Sequence, residues 1–145
     1  MRRRVRTRPY GCVTFFLDNT NPPGFAPSLR AFEFDVRHML ECAEFPRQGA
    51  TKDEEWMPVV GAQGWACITG DRRILVTEPL PRIRRESKLT TFFMPKGYTT
   101  QPLWPQYQLL VKCWLDIKAN AERARAGDCF EVQQNGKVNL FVPKH

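Results

Sequence analysis

Short apolar runs bounded by turn residues recur along the chain, and the stretches between them carry apolar positions at helical spacing. Val13-Thr-Phe-Phe-Leu17 is a short, mainly apolar run that stops at Asp18-Asn19, so it reads as a buried strand. Residues 27–32 suit a short helix with Pro27 near its first turn, where a missing N–H costs little. Residues 35–39 alternate polar and apolar, the pattern of a second strand. Over residues 51–63, Trp56, Val59, Val60 and Ala62 predict a helix stopped by Gly64, with Pro58 as an irregularity inside it. Trp65-Ala-Cys-Ile-Thr69 is the third strand, and Leu89-Thr-Thr-Phe-Phe-Met94, rich in β-branched and aromatic residues, is the fourth. No element is assigned between Asp71 and Lys88. Residues 106–126 form the longest helix candidate, with Leu109, Leu110, Cys113, Trp114 and Ile117 on one face and Arg123 and Arg125 near its end. Residues 129–133 and 137–142 flank Gln-Asn-Gly, a hairpin signal.

Helices interleaved with strands that lack polar alternation argue for an α/β fold with a parallel sheet covered on both faces. No repeat, low-complexity tract or linker divides the chain, so residues 11–145 are expected to be one domain behind a basic arm, residues 1–10.

Composition narrows the class. Of 145 residues, 42% are hydrophobic and 26% charged, the balance of an ordinary globular protein rather than a disordered one. No apolar run approaches the roughly 20 residues that a membrane helix needs. The Arg-rich start lacks the apolar core and cleavage site of a signal peptide, so a cytoplasmic location and no membrane partner are expected. The five cysteines are scattered and contain no C-x-x-C pair, which points to reduced core thiols rather than a disulfide framework or zinc site. For a catalytic cysteine, only His38 and His145 could serve as base.

The net charge of +7 adds a partner class. Besides the N-terminal arm, Arg82-Ile-Arg-Arg85 with Lys88 and Lys96 makes a second basic region. Such a field attracts polyanions, with nucleic acid first and an acidic protein next. Exposed aromatics such as Trp104 and Tyr107 could stack on bases or form a dimer face. The simpler expectation is that they pack the long helix against the sheet.

Three acidic features then acquire meaning: Asp18 after the first strand, Asp53-Glu54-Glu55 opening a helix, and Asp71 after the third strand. Residues just past the carboxyl ends of parallel strands share one edge, so Asp18 and Asp71 would approach each other if their strands are neighbours. The helix leading into the third strand is expected to start at the opposite edge. A Glu on its first turn would then need a tilted helix or the freedom of residues 45–52 to join them. Each acid also has a plainer reading. Asp18 and Asp71 can be turn residues, and Thr51-Lys-Asp-Glu54 matches a capping box. Clustered carboxylates raise each other's pKa unless a cation neutralises them, and hard oxygen ligands suit Mg²⁺ or Mn²⁺. A metal-carboxylate site with a basic surface is the equipment of phosphodiester hydrolysis.

Phe-Phe-Leu-Asp18-Asn, Asp53-Glu54-Glu-Trp and Ile-Thr69-Gly-Asp71-Arg-Arg together resemble the PIN-like domains related to VapC-type toxin ribonucleases, over roughly residues 12–95. The resemblance implies a three-layer α/β/α sandwich with a mainly parallel central sheet, here with a C-terminal hairpin. It implies an Mg²⁺- or Mn²⁺-dependent endoribonuclease, the toxin of a type II toxin–antitoxin pair. Its partners would be an RNA substrate, a cognate antitoxin protein and a second copy in a homodimer. By the same resemblance Asp18, Asp71 and Glu54 are the catalytic, metal-holding residues, Asp53 is an extra ligand and Thr69 braces the Asp71 loop. Arg72, Arg73 and Asn19 would contact substrate, the arginines clamping a phosphate. A fourth acid that usually follows the third motif has no clear counterpart, since only Glu78 and Glu86 lie downstream among prolines and arginines. That departure keeps a non-catalytic nucleic-acid-binding or regulatory PIN-like module as the alternative.

Overall fold

The computed structural model describes residues 13–32, 34–45 and 51–144. The N-terminal arm, Cys12, most of the 45–52 loop and His145 lie outside the described residues. Six strands form one sheet in the order β2-β1-β3-β4-β5-β6: β1 (Phe15–Leu17), β2 (Val36–His38), β3 (Ala66–Thr69), β4 (Thr91–Phe93), β5 (Cys129–Val132) and β6 (Val138–Phe141). The first five run parallel and β6 pairs antiparallel with β5, completing the expected hairpin. The helices are α1 (Phe25–Arg30), α2 (Asp53–Gln63), α3 (Arg73–Val76), α4 (Leu80–Ser87) and α5 (Leu103–Arg123).

Alternation along each strand builds two apolar layers. Phe15, Leu17, Ile68, Phe92 and Phe130 point into one core with α1 and α5. Phe16, Cys67, Phe93 and Cys129 point into the other with α2, α3 and α4. Strands buried on both faces carry no polar alternation, which is why these runs look uniformly apolar in sequence. The result is an α/β/α sandwich. No helix among the described residues is long and apolar enough to cross a membrane. Cys42, Cys67, Cys113 and Cys129 are free and buried, and burial pushes their thiols up.

Four expectations are corrected. The segment without an assigned element contains α3 and α4; Pro81 falls in the first turn of α4, where proline is tolerated. Within its basic run Arg84 turns inward and donates to the Gly127 carbonyl at 3.0 Å, leaving Arg82 and Arg85 exposed. The first turn of α2 lies at the carboxyl edge, not the opposite one. A helix that follows β2 and leads into parallel β3 must run back from that edge to the other. Tyr107 packs on Phe25 of α1, ring centroids 4.8 Å apart, while Trp104 is 66% exposed and does not seal α5 to the sheet.

Candidate active site at the carboxyl edge of the sheet

Strand order reverses at β1 and β3: the chain moves outward to β2 on one side and onward to β4 on the other. Loops leaving two such strands diverge and open a crevice at their carboxyl ends, where open α/β sheets bind ligands. Asp18 follows β1 there and Asp71 follows β3, with Leu17 and Ile68 paired in the sheet just before them.

Asp18 is 3% exposed. Its Oδ1 accepts from the Thr20 hydroxyl, from the Thr20 N–H at 3.1 Å and from the Asn21 amide at 3.3 Å. Its Oδ2 accepts from the Thr69 hydroxyl at 2.5 Å. These donors favour the carboxylate, but burial outweighs them and, with a smaller contribution from the Asp53 charge, pushes the group up to about 6. Thr69 in turn accepts from the Asp71 N–H at 2.9 Å, and Thr20 accepts from the Gly70 N–H at 2.8 Å. The two strand ends are therefore stitched through a pair of hydroxyls. A Cβ on Gly70 would stand 2.6 Å from the Thr99 methyl, so glycine is what lets the turn Tyr98–Thr100 close over them.

Asn21, 1% exposed, is the hub beneath this stitching. Its amide donates to the Ile68 carbonyl at 2.9 Å as well as to Asp18, and its Oδ1 accepts from the Tyr98 hydroxyl at 2.7 Å. Its carbonyl accepts from His38 Nε2 at 2.7 Å. His38 Nδ1 accepts the Leu40 N–H at 3.1 Å, so the ring is the neutral Nε2–H tautomer, and burial lowers its pKa. Sequence reasoning missed Asn21 and Tyr98, and weighed His38 only as a base for a catalytic cysteine. The run Asp-Asn-Thr-Asn after a buried strand was the available signal, since four hydrogen-bonding side chains exceed what one turn uses.

The acid that α2 brings to this edge is Asp53. Its Oδ1 accepts from the Trp56 indole at 2.9 Å, and its Oδ2 accepts from Arg73 at 3.2 Å. Burial raises its pKa, with the Asp71 charge adding to the effect. Arg73 also forks onto Asp71, Nε to Oδ1 at 2.9 Å and Nη2 to Oδ2 at 2.6 Å, and these carboxylates raise its own pKa further. Glu54 shares that first turn, and its charge reaches Asp53 and Arg73, but its side chain is turned outward. It lies exposed on the outer side of α2, beside Ile83 and Glu86 of α4. The expected Thr51–Glu54 box is shifted by one residue: Glu55 caps α2 by accepting the Lys52 N–H at 2.9 Å. Asn19 is exposed beside Asp18. Arg72 points the other way, donating to the Met94 carbonyl at 3.2 Å and to Glu131 at 3.0 Å. Glu78 and Glu86 stay exposed, whereas Glu131 of β5 meets the Asp71–Arg73 loop through its pair with Arg72.

Three aspartates at one edge offer the hard oxygen donors that suit Mg²⁺ or Mn²⁺. The Asp53 charge helps to raise Asp18 and the Asp71 charge helps to raise Asp53, an excess that a cation relieves. Arg73 already stands as a cation between Asp53 and Asp71. The donor chemistry therefore fits such an ion, while the spacing is not a ready-made cage. Among the described residues no group of three or more His, Cys, Asp and Glu side chains is gathered to hold a metal.

Residues 13–96, more than half the chain, match the family model described as a PIN-like domain. No curated protein and no solved structure gave a match.

Proposed function

The chain belongs to the PIN-like domain family, a nuclease-type fold, and on that premise we propose that it is a metal-dependent endoribonuclease that hydrolyses RNA phosphodiesters at the edge shared by Asp18, Asp53 and Asp71. The observation that carries the reading is this convergence of three carboxylates at the switch point of the sheet, two of them bridged by a guanidinium. Asp18, Asp53 and Asp71 would hold Mg²⁺ or Mn²⁺, which supplies Lewis-acid stabilisation of charge on a phosphoryl oxygen. Thr20, Thr69 and Asn21 keep the Asp18 carboxylate in one orientation. Arg73, once released from its two aspartates, is placed to take a backbone phosphate bidentately. Asp53, expected as an extra ligand, takes the central place in this acid set, with Glu54 on the exposed side of the same turn. The role of toxin in a type II toxin–antitoxin pair rests on the resemblance of the three acidic motifs, and an antitoxin that co-purifies with the protein and inhibits it would support that role.

The test is cleavage of a labelled single-stranded RNA by the purified protein in Mn²⁺ or Mg²⁺ and in EDTA, with Asp18→Asn and Asp71→Asn beside it. Activity that needs the cation and is lost in both folded variants supports the reading; undiminished cleavage in either variant, or in EDTA, overturns it. The second reading is a non-catalytic RNA-binding module. It is favoured by Arg73, which satisfies Asp53 and Asp71 without a metal, and predicts salt-dependent RNA binding with no cleavage.

A further inference from the structure

A second feature opens beside the aspartate edge, where β4 and β5 end. Arg72, Pro95, Lys96, Glu131, Gln133 and Gln134 line an open cleft of about 400 Å³. Arg72 joins it to the candidate active site, because it follows Asp71 directly in the chain. Its charges are unequal: Arg72 is committed to Glu131 at 3.0 Å, which leaves Lys96 as an exposed cation with no ion pair among the described residues. The Arg72 Nε is buried there without a hydrogen-bond acceptor among the described residues.

The far wall is the hairpin turn between β5 and β6. The Gln133 N–H donates to the Lys137 carbonyl at 2.8 Å, and its carbonyl accepts the Gly136 N–H at 2.9 Å. This pins the backbone, while the side-chain amides of Gln133 and Gln134 are exposed and have no hydrogen-bond partner among the described residues. An amide offers both donor and acceptor, the complement of a base edge, and a lone lysine offers a point charge for a phosphate. The cleft lies at the lower end of the size range of ligand sites, enough for one splayed nucleotide and not for a duplex. The turn also lies beyond residues 13–96, so this wall is not part of the matched PIN-like segment.

We propose that this cleft holds a nucleotide flanking the scissile phosphate of a single-stranded RNA, with Lys96 on its backbone phosphate and Gln133 and Gln134 selecting its base. The proposal rests on the ribonuclease reading and gives that site a specificity-determining subsite.

The experiment has two readouts on the full chain. Binding of a random-sequence single-stranded RNA is followed by fluorescence anisotropy in EDTA across a salt series, and cut positions are sequenced after incubation with Mn²⁺. Lys96→Ala should weaken binding about three- to tenfold and lower the salt slope by about 0.7, the loss of one single-strand phosphate contact. The double variant Gln133→Ala/Gln134→Ala should leave that slope unchanged and flatten base preference at one position beside the cut by about tenfold. Arg82→Ala, an equal charge loss on exposed α4, serves as the comparison. If Arg82→Ala costs as much as Lys96→Ala, or if the glutamine variant keeps the wild-type cut profile, the cleft is not the subsite while the ribonuclease reading stands. If the wild type neither binds nor cleaves RNA, both readings fall.

Discussion

Replacing Asp18 by asparagine should abolish the proposed activity and yet make the protein more stable at neutral pH. The buried carboxyl is pushed from its ordinary 3.8 to about 6, chiefly by burial. Between those values the folded protein holds a proton that the unfolded chain has released. Stability therefore falls as pH rises from about 4 to about 6, and above 6 the full loss is in place. Two pKa units at about 1.4 kcal/mol each put that loss at about 3 kcal/mol. Asparagine keeps the shape without the charge. Its oxygen can take the place of Oδ1, accepting from Thr20 and Asn21, while its amide turns toward the Thr69 oxygen, which has a second lone pair. Asp18→Asn should then be about 1–3 kcal/mol more stable than wild type at pH 7 and nearly equal to it at pH 4. Urea unfolding from pH 4 to 8 in EDTA, followed by the fluorescence of buried Trp56 and Trp114, measures both ends. Excess Mg²⁺ should shrink the difference, since a ligand at 100 times its Kd stabilises the wild type by about 2.7 kcal/mol. A variant less stable than wild type at pH 7, or an advantage unchanged between pH 4 and 7, would refute the reasoning that burial of this charge dominates its hydrogen bonds.

Three further outcomes follow from the same network. Asn21→Ala removes the acceptor of the Tyr98 hydroxyl and the side-chain donor to the Ile68 carbonyl and should cost about 2–4 kcal/mol by urea unfolding. Gly70→Ala drives a methyl into Thr99 and should cost about 1–3 kcal/mol, most of it recovered by adding Thr99→Ser; a second change that rescues nothing would mean that the turn is not where the clash falls. Arg73→Ala should change stability by less than about 1 kcal/mol, because the arginine itself is 65% exposed and solvent screens its pairs. It should also tighten Mg²⁺ binding about tenfold in isothermal titration, because the guanidinium competes for Asp53 and Asp71; weaker binding would show that it assists the ion instead.

Local pattern carried much of the architecture. The buried strands were legible because an apolar run bounded by turn residues needs no distant partner to be recognised, and the Gln-Asn-Gly turn announced β5 and β6 in the same way. The segment of α3 and α4 was not legible, since prolines and arginines mask its pattern and only the packing of Ile74 and Leu80 in one core with Trp56 and Leu89 shows which side is apolar. The same division runs through the candidate site. Asp18 and Asp71 follow from strand ends, because every parallel strand delivers its next residue to one edge. The choice between Asp53 and Glu54 does not follow from local pattern. Adjacent helical residues point about 100° apart, so the rotation of α2 against the sheet turns one acid to Arg73 and the other to solvent. Sequence by itself therefore determined the strands, their apolar faces and the aspartates that follow two of them, all products of short-range periodicity. Tertiary structure alone decided that Asn21 joins β1 to β3 and Tyr98, that Arg73 bridges two acids, and that Glu131 takes Arg72. Apart from the local Arg73–Asp71 pair, those are contacts between residues 20 to 77 positions apart, chosen by how the layers pack rather than by what stands next to what.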